Sequence, residues 1–221
     1  MDWVFLDGDR FVNRFMASLV GLLLFQFSQT AVADNMERGK SLFKLCSTCH
    51  GAQAEGTKKL AAPALAGLPQ WYIARQLTPF KHDVRGKEFK DVAGMRMRPM
   101  ARTLSEQDIV AISEYIGSKF AEPHSLKEKP VVIGNAENGK TLYATCMACH
   151  GPAGKGNKDM GAPPLVGMND WYMMTQIKNF KTGIRGANAE KDPQGAMMAP
   201  MAQTLADDQA IKDVISYIKT L

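Results

Sequence analysis

Cys46-Ser47-Thr48-Cys49-His50 recurs one hundred residues later as Cys146-Met147-Ala148-Cys149-His150. Two thiols three positions apart on a helical turn can form thioethers with the two vinyl groups of one porphyrin. The histidine that follows then lies under the iron as an axial ligand. The two motifs use all 4 cysteines of the chain. They predict two covalently held haems, with Cys46, Cys49, Cys146 and Cys149 as attachment points and His50 and His150 as iron ligands. Other uses of the thiols fit less well. A disulfide framework leaves the histidine after each pair unexplained. A four-cysteine zinc site must join the pairs across a hundred residues and idles both histidines. A thioredoxin-like redox pair accounts for one C-x-x-C, but not naturally for two on one scaffold.

The second axial position decides whether such an iron carries electrons or binds a substrate. No cysteine remains for it. The spare histidines, His82 and His124, do not recur: His82 aligns with Thr182, and His124 falls between the halves. Both read as surface residues. Methionines do recur, Met97 and Met100 around Pro99 and Met198 and Met201 around Pro200. A thioether is a soft, neutral ligand suited to low-spin haem iron, and it raises the potential relative to a second histidine. Core filling is the ordinary use of methionine, but a Met-x-Pro-Met at a fixed distance past both motifs favours ligation. The prolines suggest a loop before the last helix of each half.

The elements that must position these groups repeat with them. Gly39-Lys40-Ser41-Leu42-Phe43 matches Gly139-Lys140-Thr141-Leu142-Tyr143, and Trp71-Tyr72, Gln76, Phe80-Lys81 and Arg85-Gly86 recur one hundred residues on. A period this long marks a duplicated domain rather than a solenoid. A helix is expected up to each C-x-x-C-H, and a middle helix from Pro69 and from Asn169-Asp170. The last helix of the first half begins near Ser105, whose spacing to Asp108 suits a capping box. Ile109, Ile112 and Ile116 recur at helical spacing there, as do Ile211, Ile215 and Ile218 in the second half. No run alternates like a strand, so the fold class is all-α. Gly39 and Gly139 stand where another helix can approach closely, through Tyr115 and Tyr217. Gly154-Lys155-Gly156 lacks the rest of a phosphate loop and reads as a turn.

The whole mature chain resembles cytochrome c4-type dihaem proteins, each half being similar to class I cytochrome c. The likeness rests on the two C-x-x-C-H motifs, Tyr72, Gln76 and Phe80 with Tyr172, Gln176 and Phe180, the Arg-Gly that follows, and the methionine segment. It implies two tandem class I cytochrome c domains, each wrapped around one covalent haem c. In that family the ligand methionine stands seven residues before the leucine that opens the last helix. Counting back from Leu104 and Leu205 gives Met97 and Met198. Met100 and Met201 would then line the pockets. The resemblance also implies that the propionate sides of the two haems meet at the interface. Arg85 and Arg185 would pair with those propionates or else be solvated. Trp71 and Trp171 would cover haem edges, fill the interdomain contact or pack in the cores.

Residues 1–33 read as a secretion signal. Arg10 and Arg14 precede the charge-free run from Phe15 to Phe27, and Ala31-Val32-Ala33 supplies the cleavage pattern before Asp34. The run is short of the about 20 residues of a membrane span; uncleaved, it would serve as an anchor. The acidic residues Asp2, Asp7 and Asp9 make Met16 an alternative start. Domain 1 then covers 34–122, a proline-bearing linker 123–132, and domain 2 133–221. The net charge is +5 over the whole chain, an excess that haem propionates largely offset, so nucleic acid is not implied. Filled coordination leaves no open iron, so the chain reads as an electron carrier and not an enzyme. The resemblance implies a periplasmic respiratory role between redox proteins, a membrane quinol-oxidising complex and a terminal oxidase, with peripheral membrane association compatible. A dihaem peroxidase or thiosulfate dehydrogenase would need an open, bis-His or His/Cys iron, and a gas sensor a weak sixth ligand. An electron-accepting subunit of a dehydrogenase fits the same residues.

Overall fold

The computed structural model describes residues 34–123 and 129–221. The expected signal lies outside the described residues, as does the middle of the expected linker. The described chain is helical, and its pairing outside helices is confined to two isolated bridges, Thr57 with Ala62 and Asn157 with Ala162. Four helices build each half. In the first they are α1 (34–50), α2 (Gln70–Lys81), α3 (Val92–Arg102) and α4 (Glu106–Lys119). In the second they are α5 (Ala136–His150), α6 (Asp170–Lys181), α7 (Pro193–Gln203) and α8 (Asp208–Ile218).

Local chemistry sets the boundaries. Ser105 and Asp108 form the expected capping box at the start of α4, each satisfying the other's backbone N–H. Asn135 caps α5 by accepting from Glu137 and Asn138, and Asp207 caps α8 by accepting from Ala210. Pro69 and Asn169 precede α2 and α6. The methionine segments correct the sequence reading. They are not loops but lie inside α3 and α7, with Pro99 and Pro200 within the helices. Asp91 and Asp192 nucleate these helices by accepting from Gly94 and Gly195, both at 3.0 Å. A late proline forfeits one backbone bond, which a well-capped helix tolerates.

The isoleucines at helical spacing form the cores. Ile109, Ile112 and Ile116 are 3%, 1% and 2% exposed, and Ile211, Ile215 and Ile218 are 0%, 0% and 4% exposed. In domain 1 Ile112 and Ile116 pack with Phe43, Ile73 and Phe120; in domain 2 all three pack with Tyr143, Met168 and Met173. The first and last helices of each half cross at the expected glycines. A Cβ on Gly39 would lie 2.3 Å from the Ala111 carbonyl oxygen and 2.6 Å from Tyr115 Cβ. A Cβ on Gly139 would lie 1.9 Å from the Asp213 carbonyl oxygen and 2.9 Å from Tyr217 Cβ. Backbone thus meets backbone where α1 meets α4 and α5 meets α8, and this crossing fixes the helices that end in Cys-x-x-Cys-His.

The halves dock through α2 and α6. Tyr72, Trp71 and Leu68 of domain 1 join the core cluster of domain 2, and the Ala64 amide donates to Asn169 Oδ1 at 2.7 Å. Trp171 faces Gly56 and Lys58 across a small cleft. Trp71 therefore serves the interdomain contact, and Trp171 lies at the cleft beside it. Pro123 sits between the halves, where a Cβ on either Gly67 or Gly167 would overlap its ring.

Candidate haem centres

Each Cys-x-x-Cys-His closes its helix, and Gly51 and Gly151 turn the chain away with φ of 84° and 77°. His50 and His150 are 5% and 6% exposed. Their Nδ1 atoms meet the carbonyls of Pro63 and Pro163 at 2.7 and 2.8 Å. Burial pushes both imidazoles below the ordinary histidine range, against the opposing pull of the proline carbonyls. A neutral ring that donates Nδ1–H to a carbonyl leaves the Nε2 lone pair free for a metal, its orientation fixed. The sequence reading missed these two carbonyls, though Pro63 and Pro163 also repeat at the hundred-residue offset.

None of the four cysteines is paired in a disulfide. Burial drives the Cys46 thiol up to about 11 and raises Cys146 as well. A thioredoxin-like nucleophile needs the opposite shift. Among the described residues no group of three or more His, Cys, Asp or Glu side chains could hold a metal ion, so the pairs do not converge on zinc.

In domain 2 a cavity of about 430 Å³ opens beside the motif. Cys146, Cys149 and His150 line it together with Met198, and Leu165, Phe180 and Ile218 contribute apolar lining. Met197 and Met201 also reach it, but they are 55% and 39% exposed, whereas Met198 is half-buried. In domain 1 Met97 is half-buried while Met95 and Met100 are each 44% exposed. His82 is exposed and near Glu106, as expected of a surface histidine, and His124 lies outside the described residues.

Where the domains meet, two arginines and two glutamines bond both within each half and across the interface. Arg85 donates to Gln76 at 2.6 Å and to Gln176 at 3.2 Å; Arg185 donates to Gln176 at 2.9 Å and to Gln76 at 2.7 Å. The guanidiniums stack over Phe80 and Phe180 at 4.2 and 4.5 Å. Burial, and then the like charge of Arg185, pushes the Arg85 guanidinium downward. The Nε atoms of both arginines are buried with no hydrogen-bond partner. Orphaned buried cationic donors call for an anion, and haem propionates are anions of the right kind. Arg85 is thus buried, and Arg185 is half-buried with its Nε covered. Arg75, which the sequence reading did not single out because its counterpart is Thr175, reaches from domain 1 into the lining of the domain 2 cavity.

The residues present therefore fit haem: paired thiols beside a preoriented imidazole, an apolar cavity carrying thioethers, and in its lining the Arg185 guanidinium, whose Nε has no partner. Comparison with known proteins agrees. The cytochrome c family model matches residues 36–119 and again 136–221. The thiosulfate dehydrogenase electron acceptor of Stutzerimonas stutzeri is 30% identical over 78% of this chain and 76% of its own. Cytochrome c4 of Pseudomonas aeruginosa is 26% identical over 95% of this chain and 100% of its own. The Acidithiobacillus ferrooxidans cytochrome c4 structure superposes with a TM-score of 0.65 at 26% identity, covering 81% of this chain and 99% of that one.

The chain belongs to the cytochrome c family, present here as two tandem domains. Within it, the protein is a dihaem electron carrier of the cytochrome c4 type, with two covalent haem c groups.

Proposed function

We propose that this protein passes electrons along a periplasmic respiratory chain, with His50 and Met97 on one iron and His150 and Met198 on the other. The four cysteines would hold the porphyrins. The single observation that carries the ligand reading is that Met198 and His150 line one cavity with both cysteines of the motif. The half-buried setting of Met97 and Met198, against the more exposed methionines beside them, supports the same choice within each segment. When bound, haem supplies an iron that accepts and returns a single electron. The protein's own part is to hold the imidazole through the proline carbonyl, to exclude water with the apolar lining, and to neutralise the propionates with Arg85 and Arg185.

In this reading residues 1–33 export the chain and are removed, and the domains run 34–122 and 133–221 about the linker 123–132. Among the described residues no helix is long and apolar enough to cross a membrane. Electrons would arrive from a membrane quinol-oxidising complex and leave to a terminal oxidase. Similarity to cbb3-type oxidase subunits, 30% identical over 80% of this chain for the one from Rubrivivax gelatinosus, supports the oxidase side. A second reading has the upstream donor as a dehydrogenase, favoured by the likeness to the thiosulfate dehydrogenase electron acceptor.

Visible and near-infrared absorption of the ferric protein, with haem quantified per chain, tests the ligands. The expected result is two haems and the weak far-red band of iron–thioether bonding, halved in Met97→Ala and halved in Met198→Ala. A full band surviving both substitutions, or a high-spin native spectrum, would refute it.

A further inference from the structure

The two halves differ sharply on the outer face of the helix that carries the methionines. In α3 the residues Val92, Met95, Arg96 and Pro99 follow one another at helical spacing and are exposed. Met97 and Ala101 lie on the inner face, half-buried and fully buried. Phe89, just before the helix, is 73% exposed, and Val92 is 57% exposed. Exposed aromatic and aliphatic side chains clustered this way are unusual on a free surface. The patch has a charged rim. Lys87, Lys90 and Arg96 are exposed, while Arg98 and Arg102 are held near Asp83 at 3.3 and 3.8 Å. Arg96 also donates to the Leu60 carbonyl at 3.0 Å, which brings exposed Leu60 to the edge of the stripe.

Little of the basic charge recurs in the other half. Lys87, Arg96, Arg98 and Arg102 align with Ala187, Met197, Ala199 and Gln203, and no aromatic stands opposite Phe89. Of these cations Lys90 alone, just before the capping Asp91, has a counterpart, Lys191 before Asp192. Duplication started from two equal faces, so the basic, aromatic one is specific to domain 1.

We infer that the outer face of α3, centred on Phe89, Val92 and Met95, is the docking surface for an acidic redox protein, and that such a partner exchanges electrons with domain 1 and not with domain 2. Charge complementarity selects the occupant: an apolar centre with a cationic rim fits an apolar contact ringed by carboxylates. Phenylalanine, methionine and arginine are the residues enriched at protein interfaces, whereas a lipid surface is read by a denser run of lysines. A partner seated there is separated from the Met97 face by about one helix diameter, ~10 Å. The inference rests on the electron-carrier reading and adds to it where one partner binds.

The test uses the ferrous dihaem protein and plastocyanin, an acidic copper protein, as probe. One electron passes from ferrous haem to Cu(II), giving ferric haem and Cu(I), and stopped-flow absorption follows both. At low ionic strength the Lys87→Glu/Lys90→Glu variant should react about tenfold more slowly than the native protein. The difference should vanish in ~0.5 M salt. Lys191→Glu, on the corresponding part of domain 2, should change the rate less than twofold. Phe89→Ser should slow the reaction without changing its salt dependence. Ferricyanide serves as the control, since complete oxidation of both haems by it shows that the carrier is intact. If ferricyanide fails, the carrier reading itself falls. Oxidation by ferricyanide with a plastocyanin rate indifferent to the domain 1 charges, or equally sensitive to Lys191→Glu, would overturn the docking surface. Loss of binding to phosphatidylglycerol vesicles in the lysine variant, with an unchanged plastocyanin rate, would overturn it in favour of a membrane contact.

Discussion

Replacing Gly139 by alanine separates two reasons for a glycine in the middle of a helix. By propensity alone the change should help, because alanine in a helix interior is favoured over glycine by about 1 kcal/mol. By packing it should harm. The new Cβ would sit 1.9 Å from the Asp213 carbonyl oxygen, about 1.5 Å short of the 3.4 Å where ordinary contact begins. The obstacle is backbone, so no rotamer can yield, and α5 and α8 must part. Overpacking of this kind costs on the order of 3 kcal/mol, leaving a net loss of about 2 kcal/mol and a fall in Tm of about 10 °C for a domain of this size. Gly183→Ala is the opposite case. Its φ is +70° but a Cβ there meets nothing within 4 Å, so only the left-handed backbone is penalised, by about 1 kcal/mol. Thermal unfolding of the haem-loaded variants by circular dichroism should therefore rank native above Gly183→Ala above Gly139→Ala. A Gly139→Ala protein that melts at or above Gly183→Ala would refute the packing argument.

Two further outcomes follow from charged groups. The Arg38 guanidinium, helped by Ser105, holds the Asp108 carboxyl down to about 2, against an unfolded value near 4. Its contribution is therefore present above about pH 4 and is lost as pH falls toward 2. Because Arg38 is half-exposed and screened by solvent, Asp108→Asn should lower Tm by only about 3 °C at pH 7, and the gap should narrow as the pH is taken down toward about 2. Arg75→Thr, which installs the residue of the equivalent domain 2 position, removes a cation from the lining of the second haem's cavity. Potentiometric titration should show that haem's midpoint lowered by tens of millivolts, about 1 kcal/mol, with the first haem moved less; a larger shift in the first haem would count against the placement.

The Cys-x-x-Cys-His pairs, the duplication, the helix-forming isoleucines and the Gly39 and Gly139 crossings could be read from the chain because each depends on local spacing or exact repetition. The methionine helices could not. Proline argues for a loop, and only the cap made by Asp91 or Asp192 together with packing on α2 or α6 reverses that local preference. The arginine–glutamine bonds were hidden for a different reason. Arg85 and Gln76 repeat as Arg185 and Gln176, but a repeat cannot reveal whether a pair closes within a domain or across two. Arg75 escaped notice because the repeat was the guide, and Arg75 is one of the places where the halves diverge.

The arginine–glutamine ring also bears on how two domains came to share one chain. Arg85 bonds Gln176 as Arg185 bonds Gln76, so exchanging the halves leaves the pattern unchanged. This is the reciprocity of an isologous contact between identical subunits. A single domain with one arginine and one glutamine at these positions could close the same ring with a second copy of itself. Once the copies were fused, the tether kept each at an effective concentration on the order of millimolar from the other. The contact no longer had to be strong enough to hold separate molecules together. That freedom suits an interface whose centre is two cations with covered Nε donors, a composition that would make a poor dimer and a good seat for anions.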